Sequence, residues 1–302
     1  MPASPRPLAA PTASPGPATP RPRGRRAHDS PSNGLPSDGL PSDGLLSDGL
    51  LPGGTANRGL VIRAGAMVRR PRAPAAAATH TLLAHLAAAG FDGAPRVLAA
   101  DATTETLSYI EGWAAIPPLR GELLTDSALV SVAELLRRYH QAVASFEPAG
   151  FQWPRSIPAS FTTGLVSHND VHPANLIFRN GQAVALIDFD LAGPGSAAWD
   201  LASAARHWAP LYDERDILDG RQGQALRRFR LLLDAYGLAR PERREVAETI
   251  LANHDWSCAI ITEAVQAGHD GFTDCWNTIG ATMIRARAWC QSHHRDLLAA
   301  VS

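Results

Sequence analysis

The feature that most constrains this chain is a short β element enclosed by long helical segments. Leu165–Ser167, Asn175–Phe178 and Ala183–Asp188 read as strands, and Asn180-Gly181 between the last two is a turn pair favoured in tight hairpins. Upstream, Leu129, Val132, Leu135, Leu136, Tyr139 and Val143 fall on one face of an amphipathic helix over Asp126–Phe146. Downstream, Trp199–Trp208, Asp213–Tyr236, Pro241–Ala267 and Thr273–His294 read as four more helices.

The preceding segment has a different texture. Gly59–Arg63 and Ala66–Arg70 are β-rich runs flanking Ala64-Gly65, a hairpin signal. Ala75–Ala89 carries Leu82, Leu83 and Leu86 at helical spacing and stops at Gly90. Arg96–Ala100 and Thr106–Ile110 read as two further strands. The expected fold is α+β, with a small β-rich lobe over residues 51–112 and a larger, mainly helical lobe over 113–302. Residues 1–50 are expected to be an unfolded tail. They are rich in Pro, Ala, Ser and Arg and carry the near-repeat SNGLP, SDGLP, SDGLL, SDGLL, whose single Leu per unit builds no core.

Composition excludes several classes of function. A formal net charge of -1 argues against a nucleic-acid binder that relies on a positive field. No apolar run has the length of a membrane span or a signal-peptide core, so a soluble, cytoplasmic protein without a membrane partner is expected. Cys258, Cys275 and Cys290 are odd in number and match no zinc or redox spacing. Oligomeric state is left open.

The chemistry is concentrated in Ser167-His168-Asn169-Asp170-Val171-His172-Pro173-Ala174-Asn175, followed by Ile187-Asp188-Phe189-Asp190. Phosphoryl transfer needs a carboxylate to orient an attacking hydroxyl and hard oxygen ligands for Mg²⁺ on the phosphates. Asp170, in a tight loop after a strand, suits the first role. Asn175 and Asp188, brought to neighbouring strands by the hairpin, suit the second. Strand alternation puts Asp190 on the side of Asp188, within reach of a second ion.

These motifs resemble the catalytic loop and metal-binding segment of the aminoglycoside phosphotransferase and choline kinase family, usually H-G-D-x-H-x-x-N followed by I-D-[FW]-[DE]. Trp199-Asp200-Leu201-Ala202 adds a third match at the expected distance. The resemblance implies a two-lobe, protein-kinase-like fold and ATP with Mg²⁺ as cofactors. It also implies a small-molecule hydroxyl as acceptor: an aminoglycoside, choline, an amino acid or a sugar. Asp170 is then the catalytic base, and Asn175 and Asp188 are metal ligands. His168 braces the loop, and Asp200 holds its backbone. Gly53 and Gly54 correspond to the loop over the nucleotide phosphates, and Tyr109 and Ile110 to the hinge beside adenine.

One departure stands out. Kinases place a lysine on the third strand, paired to a helix glutamate, and all 28 basic residues here are arginine. Alternation sets Arg69 and Arg70 on opposite faces, and Arg70 is the choice for the phosphate-facing position. The following helix offers His80 and His85 but no Glu, so the usual ion pair is expected to be missing. Two rival readings follow. One is a metallohydrolase using His168, Asp170, His172, Asp188 and Asp190; the other is a kinase-like binding or regulatory protein without catalysis. For the acceptor, Asp255, Glu263, Asp270 and Asp274 among Trp256, Trp276 and Trp289 either form a cation-binding cluster or are solvated acids over core indoles. The second option is favoured.

Overall fold

The computed structural model describes residues 49–51, 54–57 and 59–302. The expectation of an unfolded tail therefore lies outside the described residues up to position 48. At 49–50 the chain forms a short strand.

The first sheet has the order β1-β2-β3-β5-β4, all antiparallel neighbours. Its strands are β1 (Gly49–Leu50), β2 (Ile62–Ala64), β3 (Met67–Pro71), β4 (Val97–Ala100) and β5 (Thr104–Ser108), with helix α1 (Ala76–Ala88) between β3 and β4. Ala64 faces Met67 across the turn at Gly65, whose φ of 58° suits glycine. Arg70 stands directly opposite Glu105 on β5.

The chain leaves this sheet through Tyr109–Gly112 and enters β6 (Trp113–Ala114), which pairs with β8 (Leu176–Arg179) of the hairpin β8–β9 (Gln182–Leu186). Gly112 has φ 139°, and a Cβ there would lie 2.5 Å from the carbonyl oxygen of Phe178. Only glycine lets the connection pass this close to the hairpin.

Helix α2 (Asp126–Val143) is capped by Thr125, whose hydroxyl accepts from the amide of Ala128 at 3.2 Å. Its six predicted apolar residues are all buried in the main core. At about 1.5–3 kcal/mol per large side chain, their burial is worth on the order of 10 kcal/mol gross. The same core takes in Leu82, Leu83 and Leu86 of α1, so the small sheet and the helical part share one apolar interior.

Two expectations need correction. Strand β7 (Leu165–Ser167) pairs with β10 (Gly193–Gly195) and not with the hairpin. Gly-Pro-Gly reads as a turn, yet a Cβ on Gly195 would sit 1.8 Å from Ser167 Oγ, so the glycine is there to let two strands meet closely. The long helix expected over Asp213–Tyr236 is confined to α4 (Ala225–Tyr236). Before it, Asp213 and Asp219 bond the amides of Arg215 and Arg221 in side-chain-closed turns, and Gly223 has φ 73°. The remaining helices are α3 (Ala197–Trp208), α5 (Arg240–Gln266), α6 (Asp270–Ser292) and α7 (His294–Ala300). Among the described residues no helix is long and apolar enough to cross a membrane.

Candidate active site

The loop after β7 is held from beneath by one buried carboxylate. Asp200, in the first turn of α3, is fully buried. Its Oδ2 accepts from the amide of His168 at 2.8 Å, and its Oδ1 from the amide of Asn169 at 2.8 Å. His140 Nε2 lies 3.0 Å from Oδ2, and its Nδ1 lies 2.9 Å from the hydroxyl of Tyr236. Asn169 has φ 66°, the left-handed region that asparagine tolerates better than most residues. This explains why Asn can stand where the family pattern has Gly. Its side chain also accepts from Ser167 Oγ at 2.6 Å and donates to the carbonyl of Leu191 at 2.8 Å.

These restraints set Asp170 at the lip of the loop, half-buried. Asn175 Nδ2 donates to Asp170 Oδ2 at 2.8 Å and to its carbonyl at 3.0 Å. Asn175 Oδ1 is left with no donor among the described residues. The carbonyl of Asn175 accepts from the amide of Ile187 at 2.9 Å, so Asp170 and Asp188 lie on adjoining segments. His168 spends both ring nitrogens on backbone, Nε2 against the carbonyl of Ile187 at 3.0 Å and Nδ1 against the amide of Asp170 at 3.3 Å. His172 Nδ1 accepts from the amide of Ala174 at 3.2 Å. Both nitrogens of His168 are thus spent, and among the described residues no three His, Cys, Asp or Glu side chains are grouped to hold a metal ion, so the cluster of the metallohydrolase reading does not assemble.

Asp188 itself is left-handed, with φ 61°. A 3₁₀ turn over Phe189–Leu191 follows it, so strand alternation does not account for the position of Asp190. Both carboxylates nevertheless meet on Arg70. Its Nη1 lies 3.0 Å from Asp188 Oδ1 and 3.2 Å from Asp190 Oδ2, and its Nη2 lies 2.5 Å from Asp190 Oδ1. Arg70 Nε donates to Glu105 at 2.7 Å, and His80 of α1 reaches the other oxygen of Glu105 at 2.5 Å. The ion pair expected to be missing is therefore present in altered form. An arginine replaces the lysine, and its acidic partner comes from β5, with a histidine of α1 behind it. Glu105 was missed because its role depends on strand register; the signal available in the sequence was an acidic residue in the next strand but one.

Burial opposes the charge of Arg70, but Asp190, Asp188 and Glu105 together outweigh it and hold its pKa above the ordinary guanidinium value. Burial and the neighbouring Asp188 push Asp190 up to about 6, against the pull of Arg70. Burial lowers the pKa of His172 and His207, the second well below the usual histidine range.

Gly54 lies over this cluster: a Cβ built on it would stand 3.3 Å from Asp188 Oδ2. Gly53 lies outside the described residues. The next residue, Thr55, touches α6, where a Cβ on Gly271 would fall 2.6 Å from its carbonyl oxygen. Tyr109 and Ile110 lie on the connection between the two sheets. The Tyr109 amide bonds the carbonyl of Ala66 at 2.8 Å, and the guanidinium of Arg63 lies 3.7 Å from its ring centroid. The proposed cation-binding cluster does not form a common pocket. Asp255 is engaged by Arg287 at 2.6 Å, Glu263 by Arg155 at 2.9 Å, and Trp256 is buried against Trp199.

Asn175 Oδ1 and Asp188 Oδ2 are hard oxygen donors, beside a half-buried carboxylate and under a glycine, and they fit Mg²⁺.

Comparison with known proteins bears on the family and the fold. A model of the phosphotransferase enzyme family APH matches residues 151–241. The chain is 33% identical over 257 residues to the trifolitoxin immunity protein of Rhizobium leguminosarum bv. trifolii, spanning 81% of this chain and 96% of that protein. It is 32% identical over 186 residues to a homoserine kinase of Methylobacterium nodulans, spanning 61% of this chain and 49% of that protein. A choline/ethanolamine kinase family protein from Mesorhizobium loti superposes with TM-score 0.56 at 18% identity, over 85% of this chain and 92% of that one. Aminoglycoside 2'-phosphotransferase-IIIa, solved with GDP, superposes with TM-score 0.51 at 12% identity, over 85% and 95%. The two superpositions establish a kinase-like fold. The 33% identity over 81% of the chain and the matched family model show that the chain belongs to the APH phosphotransferase enzyme family.

Proposed function

We propose that this protein transfers the γ-phosphoryl group of ATP to a hydroxyl of a small molecule. The observation that carries the reading is the pairing of Asp170 with Asn175 Nδ2 beside the Arg70–Asp188–Asp190 cluster. The acceptor oxygen forms a bond to the γ-phosphorus, and the bond from that phosphorus to the β,γ-bridging oxygen breaks. The electron pair leaves on ADP, and the hydroxyl proton passes to Asp170. Asn175 orients the carboxylate of Asp170, and its own Oδ1 would be available to a metal ion. Asp188 and Asn175 are the residues that would hold Mg²⁺, with Asp190 beside them. Bound there, the ion supplies positive charge against the β- and γ-phosphates. Arg70 adds a fixed positive charge, and Gly54 leaves room for the phosphates to approach backbone. Tyr109 and Ile110 are assigned to the adenine, and His168 and Asp200 keep the loop in shape.

The test is a mass-spectrometric screen of hydroxyl compounds with ATP and Mg²⁺. The expected result is an acceptor that gains ~80 Da, the mass of a phosphoryl group, with wild type and not with Asp170→Ala of unchanged fold. ATP turnover equal in both proteins would sink the proposal.

The extensive identity to a protein named for immunity to trifolitoxin favours a second reading. Here the chain protects against a toxic compound by binding it without chemistry. Protection of a sensitive strain by Asp170→Ala as full as by wild type would select this reading over phosphorylation.

A further inference from the structure

Five arginines are buried among the described residues: Arg63, Arg70, Arg206, Arg221 and Arg228. Four have carboxylates within ion-pair distance. Arg63 has Glu111, Arg70 has Glu105, Asp188 and Asp190, Arg221 has Asp219, and Arg228 has Asp126. Arg206, near the end of α3 and only 4% exposed, has none.

Its Nη1 donates to Asn253 Oδ1 at 2.9 Å and Ser257 Oγ at 3.0 Å, both on α5. Its Nε–H is buried without an acceptor, and Nη2 makes no hydrogen bond among the described residues. The free edge is thus the Nε–Nη2 edge, the one that takes a carboxylate or phosphate through two parallel bonds. Acids on the surrounding elements are committed elsewhere: Asp255 to Arg287, Asp216 to Arg285, and Asp200 to the loop amides. Burial raises the pKa of the thiols of Cys258 and Cys290, so neither supplies a counter-charge. A buried guanidinium with an open fork and no counter-ion is costly unless a ligand completes it.

The position of Arg206 gives the ligand a role. The ring of the adjacent His207 meets that of His172 edge-on at 4.8 Å, and His172 lies two residues beyond Asp170. Burial lowers the pKa of both rings, so Arg206, next to His207 in α3, carries the permanent positive charge of this part of the helix. The charge of Asp170 is among those that act on it.

We propose that the Nε–Nη2 edge of Arg206 binds an anionic group of the acceptor, so that the substrates are hydroxyl compounds bearing a carboxylate or a phosphate. This inference rests on the phosphotransferase reading and narrows its acceptor class. The cationic acceptors considered from sequence would meet a positive charge here.

The test uses full-length wild type with ATP, Mg²⁺ and matched acceptors: L-serine against L-serinamide, D-glycerate against glyceramide, glycerol 3-phosphate, and choline. The expected result is a kcat/KM for the acids roughly 100-fold above that for their amides, the scale of one charged hydrogen-bonded contact. Glycerol 3-phosphate against D-glycerate identifies which anion is preferred. In Arg206→Gln the acid-to-amide ratio should fall to within about 3-fold, a change that a purely structural residue would not cause. Amides or choline turned over as well as the acids, or an unchanged ratio in Arg206→Gln, would overturn the proposal. Calorimetric titration of the same compounds, with ATP present and Mg²⁺ omitted, separates the two claims. Saturable binding of the acids, lost in Arg206→Gln, supports the anion site even where no phosphoryl transfer is detected. Binding of the amides as tight as that of the acids refutes it.

Discussion

Replacing Asp200 by asparagine keeps its shape and removes one acceptor at the point that shapes the catalytic loop. The carboxylate accepts three hydrogen bonds, two from backbone amides at 2.8 Å and one from His140 at 3.0 Å, with no access to water. In Asp200→Asn the new NH₂ group must face one of the two amides, whichever way the side chain turns. With NH₂ toward Asn169, that amide loses its acceptor. With NH₂ toward His168, His140 can accept in place of donating, but the His168 amide is left unpaired. One charge-assisted bond of about 1.5–3 kcal/mol is lost either way, and an orphaned buried N–H costs about 1–3 kcal/mol, partly the same energy, giving a total near 3 kcal/mol. Urea unfolding at pH 7 should show that loss as a lower midpoint with an unchanged slope. Transfer activity should fall at least 100-fold because the amides define the position of Asp170. A destabilisation below about 1 kcal/mol, with activity retained, would refute the assignment of Asp200 as the loop's anchor.

Three further outcomes are expected. Arg70→Ala leaves Glu105, Asp188 and Asp190 crowded without a cation, and should cost about 3–5 kcal/mol of stability by thermal unfolding without nucleotide. Asn169→Gly should change stability by less than about 1 kcal/mol, because glycine accepts φ 66° and offsets the lost side-chain bonds, whereas Asn169→Val should lose more than about 2 kcal/mol. Burial, aided by Arg206, lowers His254 to about 4. Its depressed pKa means the unfolded chain takes up a proton first, so the stabilising neutral form is fully effective above the unfolded pKa of about 6.5 and is lost as pH falls toward 4. Denaturation at pH 7 and pH 5 should show a loss of about 2 kcal/mol that is absent in His254→Gln.

Much of this site was legible in the sequence because its chemistry is local. Asp170 and Asn175 are five residues apart in one loop, and Asp188 follows a hairpin whose turn is spelled Asn180-Gly181. What escaped depends on register and on partners distant in the chain. Glu105 meets Arg70 only because β3 and β5 pair with those two residues opposite. Asp190 reaches the site through a left-handed residue and a 3₁₀ turn, which a period-of-two argument does not contain. Gly193-Pro194-Gly195 has no β propensity and is a strand because Ser167 requires a neighbour without a side chain. The acids of α5 left a cation-binding cluster open as the less favoured reading, and Arg287 of α6 and Arg155 pair with Asp255 and Glu263 instead. Arg206, one of many arginines in the chain, became informative only once its missing counter-ion was visible.

Calorimetric titration of ATP into the protein, with Mg²⁺ and with chelator, addresses the account most directly. The wild type should bind ATP at least 10-fold more tightly with Mg²⁺, and Asp188→Ala should lose that difference while still binding free nucleotide. ATP affinity indifferent both to Mg²⁺ and to the loss of the Asp188 carboxylate would contradict the placement of the metal-bound triphosphate between Asn175, Asp188 and Arg70.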